Sequence, residues 1–261
     1  ATQVVIALLR QTSGQIMGER ARQQIRSFLS LSPDQFADSP VSRFAAPVAI
    51  DVVDLFAADM ANPVVSMYAA GIAVMFLLFG AVGNSGTLLE EEENQTLERL
   101  MCSELSMIQL LAGKWLLMTI VGIVQVTIMF AWAQLAFGVD LLGHLSGFAV
   151  MTVVTAGAAS SFALTLAALC TNRAQLNAVA VILILSMSAL GGSMVPRYVM
   201  SETMQQVGKI TFNAWALDGY IKVFWRDLPL GELAPELAVL TATAIVLFGA
   251  ARFLARRWES S

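Results

Sequence analysis

The chain has 261 residues, 57% of them hydrophobic and only 13% charged, with a net charge of −4 and a mean hydropathy of +0.71. A soluble domain carries roughly 25% charged residues, so there is too little polar surface here to cover a globule in water, and composition predicts a multi-span membrane protein. A small negative charge argues against a nucleic-acid partner, and Cys102 and Cys170 make no disulfide framework.

Residues 1–62 are the soluble-looking part and are expected to form an extracytoplasmic lobe. Val4–Leu9, followed by Arg10, Glu19, Arg20, Arg22 and Arg26, reads as a helix with a mixed surface ending near Ser30–Pro33. Ser32-Pro33-Asp34 and Ser39-Pro40 punctuate a loop. Val48–Leu55, with Asp51 and Asp54, fits a strand or a helix equally well. No signal-peptide pattern is read at the opening, and the abrupt start at Ala1, inside a helical pattern, is what a fragment would be expected to show.

Five membrane-length segments follow in residues 63–257, with 258–261 as a tail. Val64–Leu89 is about 26 residues, roughly 39 Å as a helix and enough to span with tilt. Trp115–Val139, Leu145–Cys170, Ala174–Val195 and Leu237–Leu254 complete the set, with Arg252 placed to snorkel at the end of the last. A barrel would need alternating segments of about ten residues, so the fold class expected is all-α, polytopic and bilayer-embedded. Small residues such as Gly71, Gly80 and Gly83 stud these segments, and Gly157-x-x-x-Ser161 fits the small-xxx-small pattern that lets helix backbones approach.

If the stretch Glu90–Lys114 is cytoplasmic, the short inner segments carry Arg99, Lys114, Arg173, Arg252, Arg256 and Arg257. The opposite side carries Arg197, Lys209, Lys222 and Arg226, leaving aside the lobe, whose length takes it outside the rule. The balance favours this orientation, and both cysteines then face the reducing side.

Glu90–Lys114 is the polar interruption between the first two spans. Within it Leu97, Leu100, Met101 and Leu105 recur at helical spacing, forming one apolar stripe flanked by Glu98 and Glu104. Ser106-Met107-Ile108-Gln109 reads as a capping box that starts the next helix. A short amphipathic helix at the mouth of two spans either lies in the lipid interface or inserts into a groove on a soluble partner; pattern alone leans to the first.

Glu93-Asn94-Gln95-Thr96-Leu97-Glu98-Arg99-Leu100, followed by Gly113-Lys114, resembles the E-x-G-T-L-E-x-L … G-K loop of type-2 ABC export permeases. Gly191-Gly192-Ser193-Met194-Val195-Pro196, then Met204-Gln205 and Asn213-Ala214-Trp215-Ala216-Leu217-Asp218-Gly219, is similar to that family's outer segment. Ala70-Gly71-Ile72-Ala73-Val74-Met75-Phe76 is similar to the opening of one of its spans. The resemblance covers residues 64–257 in order and points to the drug- and antibiotic-exporting branch. It departs from the pattern at Gln95, which stands for a glycine, and at Glu104, Ser201, Phe212 and Ala70, each near a position where proline is common. The family has six spans with one before a large external domain, so the first span is expected to be missing here.

The resemblance implies a permease half that pairs with a second copy or paralogue and with two ATP-binding subunits in a bacterial cell membrane. Glu93, Thr96, Leu97, Glu98, Arg99, Leu100, Met101, Gly113 and Lys114 would couple to the ATPase. Gly191, Gly192, Pro196, Asn213 and Trp215 would belong to an external gate within a re-entrant segment, 196–230. No G-x-x-x-x-G-K-[ST] loop occurs around Gly113-Lys114, so no nucleotide is expected on this chain; ATP and magnesium would be bound by the partner.

The run Glu90–Glu93 reads as a solvated acidic loop. His144, the one histidine, cannot by itself supply a metal site, and no metal is expected. Asn94-Gln95-Thr96 fits a glycosylation acceptor, a frequent chance match. Asn84, Gln125 and Gln134 are candidates to line a substrate path, although interhelical hydrogen bonding explains them, and Asn177, equally well. Met204–Ile210 and Trp215–Trp225 read as two short helices, with Thr211-Phe212-Asn213 as the N-cap region of the second and Trp215, Tyr220 and Trp225 as interfacial anchors. An ion-coupled transporter would want carboxylates or histidines in mid-span, which the central parts of all five lack. An intramembrane hydrolase would want a Ser–His or paired-Asp set, and Asp140 and His144 are too peripheral. A membrane interaction protein without transport remains the other alternative to an exporter of lipophilic or amphipathic compounds.

Overall fold

The computed structural model describes residues 63–96, 106–195, 200–226 and 228–256. The lobe at 1–62, the apolar stripe with the coupling candidates Leu97, Glu98, Arg99, Leu100 and Met101, Pro196 of the external segment and the tail from 257 lie outside these. The helices are α1 (Pro63–Glu93), α2 (Met107–Phe137), α3 (Leu145–Leu169), α4 (Arg173–Gly191), α5 (Glu202–Gly208), α6 (Phe212–Phe224) and α7 (Ala234–Leu254), with a 3-10 turn at Leu230–Leu233. No strand occurs among the described residues. Five of the helices have the length and apolarity to cross a bilayer.

Local chemistry explains the helix ends. α1 runs on through Glu93 because glutamate is a good helix former, and it stops where Gln95 turns left-handed at φ 57°. The Gln95 N–H then closes on the Glu92 carbonyl at 3.0 Å, and the Thr96 hydroxyl donates to the Glu91 carbonyl at 3.0 Å. α2 begins at the expected capping box: the Ser106 N–H and hydroxyl each donate to Gln109 Oε1 at 2.9 Å. It ends at Gly138, left-handed at φ 72°, whose N–H returns to Gln134. α4 is capped by Asn172, whose side chain accepts from the Gln175 N–H at 2.8 Å, and stops at Gly192, φ 98°.

These ends correct the expected polar interruption. Both flanking helices consume part of it, so only 94–106 separates them, and Gly113-Lys114 lies two turns inside α2 rather than at its start. The acidic run is the last turn of a helix, not a loop.

α3 is the central element, buried along nearly its whole length from Gly147 to Ala168 and packed by α1, α2 and α7. In a bilayer the apolar effect does not drive helices together, so close packing and interhelical hydrogen bonds must. The small residues of α3 supply both. The Trp115 indole of α2 donates to the Gly157 carbonyl at 3.0 Å and to Ser161 Oγ at 2.9 Å. Thr119 Oγ1 donates to Ser160 Oγ at 3.1 Å, and Thr165 Oγ1 donates to the Leu247 carbonyl of α7 at 2.8 Å. The Gly157-x-x-x-Ser161 step thus receives an aromatic side chain, where the pattern had suggested a backbone. Leu116, Leu117, Ile120, Val124, Ile128, Ile182, Ile245 and Val246 are exposed on the outside, the surface a lipid-facing bundle requires.

Candidate functional site

Antiparallel runs place the C-terminus of α1, the N-terminus of α2, the C-terminus of α3, the N-terminus of α4 and the C-terminus of α7 at one end of the bundle, the acidic end. Successive residues of a helix are about 100° apart, so Glu90 and Glu91 reach different neighbours. Glu90 pairs with Arg173 of α4. Glu91 Oε1 lies 2.5 Å from Lys114 Nζ of α2, and Lys114 also donates to Thr87 Oγ1 at 3.3 Å. A Cβ at Gly86 would lie 3.3 Å from Arg173 Nε. Gly86 with Glu90, and Thr87 with Glu91, are therefore two adjacent i, i+4 stripes, each seating one cation. The expectation of a merely solvated acidic run is corrected for these two members, whereas Glu93 is exposed. Gly113 has open space where a side chain would point.

At the opposite end the chain folds back through α5 and α6. α6 contacts α1, α3, α4 and α7, so it sits inside the mouth of the bundle rather than on its rim. Three glycines permit this. A Cβ at Gly71 would lie 2.6 Å from the Ser193 carbonyl; one at Gly208 would lie 2.3 Å from the Leu190 carbonyl. At Gly191 it would meet Asn213 Cβ at 2.8 Å and the Ala214 nitrogen at 3.1 Å. Asn213 is fully buried and donates through Nδ2 to Ser188 Oγ at 3.1 Å. The expected N-cap region holds at Thr211, the cap residue of α6, whose hydroxyl turns back to the Gly208 carbonyl at 2.7 Å, while Asn213 lies within the first turn. Trp215 is half-buried and its indole donates to the Lys209 carbonyl at 2.7 Å. The structure thus brings Gly191, Gly192 and Asn213 together.

Tyr220 is not an interfacial anchor. It is fully buried, stacks on Phe130 at 5.2 Å and meets Thr152 Oγ1 through its hydroxyl at 3.1 Å. Phe130, Phe148, Tyr220 and Phe224 form one cluster joining α2, α3 and α6. Composition hides this, because a tyrosine on a short helix between spans serves either role. A second feature that sequence reasoning missed is an ion pair: Lys222 of α6 donates to Glu236 Oε2 of α7 at 2.9 Å and to the Glu232 carbonyl at 2.7 Å. Glu236 is buried. Spacing of 14 residues across a turn left no pattern to find it by.

The three substrate-path candidates are not brought together. Gln125 Nε2 donates to the Phe76 carbonyl at 3.0 Å, and its Oε1 would lie 2.4 Å from a Cβ at Gly80, so it ties α2 to α1 as interhelical bonding predicts. It also borders an open apolar groove of about 470 Å³ with Phe76, Val121, Val124, Ile128 and Met129. Asn84 is exposed and bonds within its own helix to the Gly80 carbonyl at 2.9 Å. Gln134 is half-buried near the far end of α2. No cluster of three or more metal-ligating side chains occurs among the described residues.

The sequence matches the family described as ABC-2 family transporter protein over residues 3–253, and the chain belongs to that family. It is similar to the Linearmycin resistance permease protein LnrN of Bacillus subtilis (strain 168), 22% identical over 180 residues, covering 69% of this chain and 46% of that protein. The chain thus spans about half the length of the curated relative it matches. Family membership and five apolar helices make it a multi-pass membrane transporter subunit.

Proposed function

We propose that this chain is the permease subunit of an ATP-driven exporter that moves a lipophilic or amphipathic, antibiotic-like compound outward by alternating access. Hydrolysis takes place on a separate ATP-binding subunit, and two permease halves, identical or paralogous, form the pathway in a bacterial cell membrane. The family match across nearly the whole chain carries this reading, and the resistance function printed for the relative is the reason for the substrate class. The acidic end then faces the cytoplasm, with 94–106 as the segment received by the ATPase. The end holding α5 and α6 faces outward, with Gly191, Gly192, Pro196, Asn213 and Trp215 at the gate.

The test is a co-purification. The full-length permease, expressed with candidate ATP-binding subunits from its own genome, is expected to retain one of them and to stimulate its hydrolysis. Changing Leu97, Leu100 and Met101 together to Asp would place three charges on the docking stripe and is expected to abolish that stimulation while the spans stay folded. Undiminished stimulation in a folded triple variant would remove the docking role. Transport driven by a proton gradient with no ATPase present would remove the whole reading.

A further inference from the structure

α1 closes on four glutamates at the end where a helix dipole is negative, with no basic residue in its last turn. α4 opens on Arg173 at the end where the dipole is positive. Each charge sits at the wrong pole of its own helix, so no local preference explains either placement. Charges that break a local rule point to a gain elsewhere, and here the gain appears only when the helix ends meet. Arg173 then neutralises Glu90 over Gly86, and Lys114 neutralises Glu91 beside Thr87. Lys114 grips two turns inside α2, so the first turns of α2 and the segment 94–106 are left outside the clamp.

We propose that Glu90 and Glu91, with Arg173 and Lys114, are positioning residues that brace α1, α2 and α4 into one body at the acidic end. The three spans then follow the coupling segment together, and none of the four side chains touches the ATPase. The inference rests on the reading that 94–106 receives the ATPase, and it assigns Lys114 to transmission within the chain rather than to docking. The pairs are partly exposed, so each is weak enough to be broken without unfolding the bundle.

The test uses the full-length permease with its ATPase, the single variants Lys114→Glu and Glu91→Lys, and the double charge swap. ATPase retention on co-purification is expected to match the unaltered protein in all three. Permease-dependent stimulation of ATP hydrolysis is expected to fall at least about fivefold in the singles, the lower end of coupling between distinct sites, and to return in the swap. Spin labels at position 94 and at the exposed position 117 of α2, on a background with both native cysteines replaced, should report one narrow distance in the unaltered permease and the swap, and a broadened one in the singles. Loss of ATPase retention in the singles would make Lys114 a docking residue and overturn the proposal, as would unchanged distances. If the unaltered permease retains no ATPase, the functional reading fails on its own, and the distance measurement on the permease alone still decides the brace.

Discussion

The two ends of the bundle are held by opposite means. At the acidic end, partly exposed charges bridge the C-terminus of α1 to α2 and α4. At the other end, glycine backbones, a buried amide and an ion pair whose Glu236 carboxylate is buried lock α6 among its neighbours. Water weakens the first kind of contact and leaves little strain when it opens. The second kind is stiff, because a close-packed backbone contact has no half-open state. On the proposed function, an element that responds to a soluble ATPase would be served by the first, and a seal by the second.

The contrast is testable by breaking each end. Lys222→Met would strand the buried Glu236 carboxylate; with Lys222 itself partly exposed, the cost is expected below the about 3–5 kcal/mol of a fully buried pair. Thermal unfolding in detergent is expected to show a large loss, mostly recovered in Lys222→Met with Glu236→Leu. The matching change at the acidic end, Glu90→Gln, is expected to cost under about 1 kcal/mol; equal losses at both ends would erase the distinction. Gly71→Ala comes next, because its Cβ would press on the Ser193 backbone; overpacking of this kind costs about 1–3 kcal/mol, read from the same unfolding curves. The smallest effect runs the other way. Gln95 holds a left-handed φ of 57°, a conformation costing about 1–2 kcal/mol in a residue with a Cβ. Gln95→Gly is therefore expected to stabilise the protein modestly, and a loss of stability would show that the Gln95 side chain has a role its backbone does not explain.

Much of the fold was legible. Five spans, the Ser106–Gln109 cap and the helix pair after α4 all follow from apolar length and terminus chemistry, which act within a few residues. Other features were not legible, for reasons that can be named. Glu90 and Glu91 look alike in sequence, and only their angular positions on α1 send one to α4 and the other to α2. Trp115 is only the first residue of an apolar run in sequence until Gly157 and Ser161 are seen beneath it. Tyr220 and Trp225 differ in burial only because α6 is lodged inside the mouth.

Composition and hydropathy were thus enough for the class and for the five spans of the described residues, since each depends on local sums along the chain; the family was legible only through the resemblance of its motifs. Which charges meet, which aromatic is buried and which glycines touch a backbone depend on contacts between distant segments. Those the tertiary structure alone decides, because a side chain's partner is set by where its helix is packed and not by its neighbours in sequence.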